Sequence, residues 1–127
     1  MTPVAHKTMP SVTEARLDRA EGCLHLVFDD GTKSSFSAEF LRVLSPSAEV
    51  QGHGPGQGVT VSGKRGLSIT ALEAVGNYAL RIVFEDGHDT GIYSWAYFRE
   101  LGDQEETKWQ NYLAALAREG LSRDPAA

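Results

Sequence analysis

The feature that most constrains this chain is that it resembles itself. Leu24-His25-Leu26-Val27-Phe28-Asp29-Asp30-Gly31 recurs as Leu80-Arg81-Ile82-Val83-Phe84-Glu85-Asp86-Gly87, with Phe28 and Phe84 offset by 56 residues. The likeness continues past the turn, where Phe36-Ser37-Ala38-Glu39-Phe40-Leu41-Arg42 is echoed by Tyr93-Ser94-Trp95-Ala96-Tyr97-Phe98-Arg99 at an offset of 57. Two copies are too few for a solenoid. They predict a duplicated unit of strand, turn, strand and short helix, packed about a pseudo-twofold axis.

Each copy carries the local chemistry of that unit. Leu24, Leu26 and Phe28 alternate with His25 and Val27, and Leu80, Ile82 and Phe84 repeat the pattern, as half-buried strands require. Asp29-Asp30-Gly31 and Asp86-Gly87 supply turn residues that tolerate a positive φ. Ser37 and Ser94 then stand as helix N-caps, each followed by about two turns of helix. Ser45-Pro46 is expected to end the first helix and Gly102 the second.

Between the copies, Gly52-His53-Gly54-Pro55-Gly56-Gln57-Gly58 reads as loop, Val59-Thr60-Val61 as a short strand, and Leu67 to Val75 as a further strand. A last helix is expected from the capping-box spacing of Asp103-Gln104-Glu105-Glu106, with Trp109, Tyr112, Leu113 and Leu116 on one face and Gly120 as its stop. The fold class expected is thus α+β: an antiparallel sheet from two related hairpin-plus-short-helix units, with a C-terminal helix. Residues 1–11 read as a loose arm, 12–121 as a single domain and 122–127 as a loose tail.

Composition bounds the function. With 127 residues, 41% of them hydrophobic, one ordinary core is expected. Lys+Arg 12 against Asp+Glu 17 gives a net charge of −5, which disfavours nucleic acid as a partner. No apolar run suits a membrane span or a secretory signal. Cys23 is the single cysteine, which fits a reducing cytoplasm and cannot build a cysteine cage.

Among the histidines, His6 falls in the arm and His25 on a strand, facing solvent or a partner. His88 follows the second turn and is flanked by Asp86 and Asp89, an imidazole and carboxylate set of the kind zinc or iron accepts. His53 sits between glycines, in a loop without the ending of a phosphate-binding motif. A polar turn and a rigid loop are the plainer readings of these two sites. Ser45, Ser47, Ser62 and Ser94 lack a nucleophile-elbow setting, and the paired acids lie in hairpin turns. Most of the aromatic cluster Tyr93, Trp95, Tyr97 and Phe98 is expected in the core, with Trp95 the member expected at the surface, since its counterpart is Ala38.

Ser45-Pro46-Ser47-Ala48-Glu49-Val50, Gly52-His53-Gly54-Pro55-Gly56, Gly76-Asn77-Tyr78 and Asp86-Gly87-His88-Asp89-Thr90-Gly91-Ile92-Tyr93-Ser94-Trp95 together resemble bacterial DUF971 proteins, the γ-butyrobetaine hydroxylase-like N-terminal domain family. In the hydroxylases the similar module holds structural zinc through three cysteines and one histidine. The resemblance places the zinc histidine at His88 and the cysteines at Ser45, Ser47 and Val50, so three ligands are missing and tight structural zinc is not expected. The oxygenase domain has no room in this length, and no His-x-Asp facial triad is present. Similar domains are fused to Mrp-type ATPases, which implies an accessory role in iron-sulfur or metal handling.

The functional expectation is therefore a cytoplasmic, non-catalytic binding or adaptor module. His53, Tyr93 and Trp95 are its candidate contacts, and an Mrp-type ATPase or an oxygenase its candidate partner. The alternative is a protein binding zinc or iron through His88, Asp86 or Asp89, and His53. A homodimer through an exposed strand edge is compatible with either.

Overall fold

The structure is a computed structural model in which residues 10–52 and 58–125 are described. Strands β1 (Val12–Asp18), β2 (Cys23–Phe28) and β3 (Lys33–Ser37) form one antiparallel sheet, followed by helices α1 (Ala38–Val43) and α2 (Ala48–Gln51). Strands β4 (Ile69–Val75), β5 (Ala79–Phe84) and β6 (Ile92–Ser94) form a second, followed by α3 (Trp95–Asp103) and α4 (Glu105–Glu119). The repeat read from sequence is a repeat in space, and it includes an outer strand, β1 or β4, in each unit.

Local details recur with it. Gly31 and Gly87 turn the two hairpins at φ 86° and 91°, a left-handed region that residues with a Cβ disfavour. Ser37 and Ser94 accept hydrogen bonds from the amides of Phe40 and Tyr97, each at 3.0 Å, as N-caps do. The outer strands even share an irregularity, a register shift at Val12/Glu14 and another at Ile69/Ala71.

The units clasp each other reciprocally. Arg42 of α1 donates to Asp86 of the second hairpin turn at 2.9 Å, and Arg99 of α3 donates to Asp30 of the first turn at 2.9 Å. These are equivalent residues exchanged in both directions, as a pseudo-twofold requires. Inward residues of both units, among them Leu24, Leu26, Phe28, Ile82, Phe84 and Phe98, merge in one core. Removing each such side chain from water contributes roughly 1.5–3 kcal/mol.

Three local expectations are corrected. Val59-Thr60-Val61 forms no strand: Val59 N–H donates to Val50 O and Val61 O accepts from the Tyr112 hydroxyl, so the segment lies along α2 and α4 with helices as its neighbours. Gly102 does not end α3, which runs on to Asp103; a Cβ there would meet Ser34 Oγ at 2.9 Å, so glycine serves close packing. Nor is Asp103 a cap, because α4 starts after Gln104, whose side chain makes no capping bond. Gly120 does close α4, at φ 68°.

Residues 122–124 are bonded to the rest of the domain. Gly63 N–H donates to Ser122 O and Arg65 N–H to Arg123 O, each at 2.9 Å, while Arg123 pairs with Glu39. Backbone and charged bonds hold a segment that apolar content alone would have left free. Among the described residues, no helix is long and apolar enough to cross a membrane.

Candidate functional site

The second hairpin turn delivers His88 into the protein. His88 N–H donates to Asp86 Oδ1 at 3.0 Å and Phe84 N–H to His88 O at 3.0 Å, which fixes the backbone. The ring points inward, its side chain 4% exposed, 6.0 Å from the Phe84 ring. Its two nitrogens meet Ser45 Oγ at 2.8 Å (Nε2) and Glu49 Oε1 at 3.2 Å (Nδ1). Burial, then the Arg42 charge, lower the His88 pKa, with Glu49 and Asp86 opposing.

A neutral imidazole fixes the direction of both bonds. The Glu49 carboxylate only accepts, so Nδ1 carries the hydrogen, and Nε2 accepts from the Ser45 hydroxyl. That is the donor order of a serine–histidine–carboxylate triad. Ser45, however, has 0% exposure, enclosed by Gly91, Pro46 and Tyr93; a Cβ at position 91 would lie 2.5 Å from Ser45 Oγ. A hydroxyl so enclosed is a buried clasp between α1–α2 and the β5–β6 turn.

Asp86 is tied to the clasp through the His88 backbone amide. Burial raises its pKa, but hydrogen bonds from Lys64 (2.6 Å), the His88 amide and Arg42 outweigh it and hold the carboxyl at about 2. Two buried polar atoms of the same region, Arg42 Nη1 and Ser47 Oγ, have no hydrogen-bond partner among the described residues.

The predicted residues separate accordingly. Asp86 touches the His88 backbone and two cations but not its ring, and Asp89 is drawn away by Arg81, which bonds its carboxylate at 2.9 Å and its carbonyl at 2.8 Å. His53 lies outside the described residues. Tyr93 is corrected from surface contact to core: on β6 it points inward with 0% exposure while Ile92 points out, and its hydroxyl donates to Leu41 O. Burial raises its pKa, and raises that of Tyr97, which donates to Leu44 O at 2.6 Å, to about 12. These two tyrosines satisfy carbonyls that the end of α1 leaves open. Trp95 is partly buried on Phe98, and its indole N–H donates to Asn77 O at 2.7 Å. Beside it Tyr78 is 54% exposed, and the two line a recess of about 280 Å³ with Asn77 and Pro10.

Residues 15–99 match the model of the γ-butyrobetaine hydroxylase-like N-terminal family. The chain belongs to that family. Two proteins with NMR solution structures are similar to it: one is 45% identical over all of this chain and 93% of its own (TM-score 0.81), the other 42% identical over 94% of each (TM-score 0.79). A crystal structure of a DUF971 protein of unknown function from Acidithiobacillus ferrooxidans is 33% identical over 72% of this chain and 92% of its own, with a TM-score of 0.60. No curated protein matches the chain.

The zinc site implied by this γ-butyrobetaine hydroxylase-like family does not fit the residues present. Ligands about 2.0 and 2.3 Å from a tetrahedral zinc stand roughly 3.5 Å apart, whereas Ser45 Oγ and His88 Nε2 bond directly at 2.8 Å. Ser47 Oγ is a weak ligand type, and Val50 is an apolar, buried side chain with no donor atom. Among the described residues, no group of three or more His, Cys, Asp or Glu converges. Sequence reading missed Ser45 and Glu49 as the partners of the His88 ring. The family correspondence of Ser45 with a ligand position was the available signal for the first; nothing marked the second.

Proposed function

We propose that this chain is a non-catalytic protein-binding module, an adaptor whose contact face is built around Tyr78 and Trp95. The observation that supports it is the half-exposed Tyr78 ring beside Trp95 at the rim of the 280 Å³ recess, with Ile92 48% exposed on the same short strand that leads into Trp95. Tyrosine and tryptophan combine large apolar area with a polar tip, which suits an interface that is wet when free and dry when bound. His88 is occupied instead in the clasp, with both ring nitrogens engaged, so the metal-binding alternative has no comparable support.

The partner class follows from the family resemblance: an Mrp-type ATPase or an oxygenase, with the module as an accessory to iron-sulfur or metal handling. The test is co-purification of the full chain with the Mrp-type ATPase of its own host. Retention by the native chain and at least tenfold weaker retention by Tyr78→Ser is the expected result. Equal retention by both, or none by either, overturns the reading.

A further inference from the structure

Arg123 reaches back from the tail to the start of α1. Its Nε donates to Glu39 Oε2 at 2.8 Å and its Nη2 to Glu39 Oε1 at 2.6 Å, a two-pronged pairing matched to the plane of the guanidinium. The same guanidinium lies over the Trp109 ring, 5.0 Å from its centroid. Glu39 is a buried carboxylate, 6% exposed, and among the described residues Arg123 is its salt-bridge partner.

The pair opens onto a cavity of about 530 Å³ between α1 and the α3–α4 junction, walled by Phe40 and Trp109 and by the further carboxylates Asp103, Glu105 and Glu106. That space exceeds one guanidinium, and its charge beyond the Arg123 pair is negative. The tail that carries Arg123 is fastened by polar bonds: two backbone bonds to Gly63 and Arg65, and an ion pair between half-exposed Arg65 and exposed Asp124. Leu121, at its root, is 39% exposed. Among the described residues these polar bonds, the Glu39 pair and the Trp109 stack hold the segment, and each is a contact that a competing group of the same chemistry replaces when the tail lifts.

We propose that Glu39 and Trp109 form an arginine-recognition site, filled in cis by Arg123 and in trans by an arginine side chain of a partner protein when the tail lifts. The cavity supplies room for the residues flanking that arginine, and its carboxylates select a basic segment. The chain's net charge of −5 favours the same encounter. This site is separate from the Tyr78 and Trp95 face and stands or falls without it.

The test is titration of Nα-acetylarginine amide into the full chain, followed by the indole N–H NMR signals, with Trp95 as internal reference. In Arg123→Ala the Trp109 signal is expected to shift saturably, with an affinity at least tenfold above that of the native chain. Nα-acetyllysine amide should give less than a fifth of the response, and Glu39→Gln added to the same variant should abolish it. Arg123→Lys, which keeps a cation against Glu39 but loses the fork, is titrated in parallel in case the alanine variant does not fold. The absence of a saturable Trp109 shift in whichever variant folds overturns the proposal, as does an equal response after Glu39→Gln. In the native chain without added ligand, a Trp109 signal that moves with protein concentration and dimerisation overturns the partner assignment in favour of a second copy's tail.

Discussion

Ser45 and His88, 43 residues apart in sequence, share a buried hydrogen bond of 2.8 Å where the wider family's resemblance would put two zinc ligands. A direct donor–acceptor bond thus joins α1–α2 to the second hairpin turn in this chain, and its strength rests on protonation and shape. Several measurable consequences come from that exchange.

Replacing Ser45 with Ala leaves His88 Nε2 buried without its donor. Stability should fall by about 1–3 kcal/mol, the cost of an unsatisfied buried polar group. Urea unfolding at neutral pH reads it, and an unchanged midpoint would show the bond to be energetically idle.

The same ring sets a pH dependence. His88 has a folded pKa below its ordinary value of 6.5, lowered first by burial and then by Arg42. Between the two values the unfolded chain binds more protons, so stability rises with pH there. The His88 contribution is complete above about pH 6.5 and is lost as pH falls through the folded value. Asp86, held at about 2 by Lys64, the His88 amide and Arg42 against its burial, adds a separate loss only in stronger acid. Unfolding midpoints from pH 7.5 to 5 should therefore decline in the native chain and flatten in His88→Gln; parallel curves would place the titrating group elsewhere.

Gly91 has no room for a side chain. In Gly91→Ala the new Cβ would start 2.5 Å from Ser45 Oγ and 3.0 Å from the Tyr93 ring. Overpacking of this kind costs about 1–3 kcal/mol, and here it also pushes Ser45 off His88. Calorimetry should show a lower Tm, and the His88 ring signals should move in the NMR spectrum. A variant as stable as the native chain would mean that the turn relaxes freely.

Metal should be indifferent to the native chain and not to a revertant. A chelator is expected to leave its Tm unchanged, whereas Ser45→Cys, Ser47→Cys and Val50→Cys together with His88 restore a four-ligand set. Elemental analysis of the triple variant should find zinc near one per chain. Its failure to bind would refute the residue correspondence on which the zinc comparison rests.

The tail offers an independent check on packing. Arg123→Ala strands the buried Glu39 carboxylate and should cost about 1–3 kcal/mol, while Glu39→Gln in the same background should recover most of the loss. Thermal unfolding of the two single variants and the double gives the coupling directly.

Much of the fold was legible because its signals are local and appear twice. Alternation in β2 and β5, the turn glycines 31 and 87, and the caps Ser37 and Ser94 each state their own conformation within a few residues. β1 gave no such signal: its side chains between Glu14 and Arg16 are exposed, so no apolar alternation marks it, and it is defined by pairing with β2. Val59 to Val61 failed in the opposite sense, since β-branched residues there pack along helices. At the site, the turn that presents His88 was readable, but the choice of Ser45 and Glu49 over Asp86 and Asp89 depends on contacts some 40 residues distant. Arg42 and Arg81 decide it by claiming the nearer carboxylates.

The reciprocal bonds from Arg42 to Asp86 and from Arg99 to Asp30 also bear on how the chain can be divided. Each half holds the anchor for the other's turn, and the α1 carbonyls of the first half are closed by Tyr93 and Tyr97 of the second. Fragments divided between the two units are therefore expected to stay unfolded when expressed singly and to reconstitute the native protein when mixed, which makes this chain a natural split reporter.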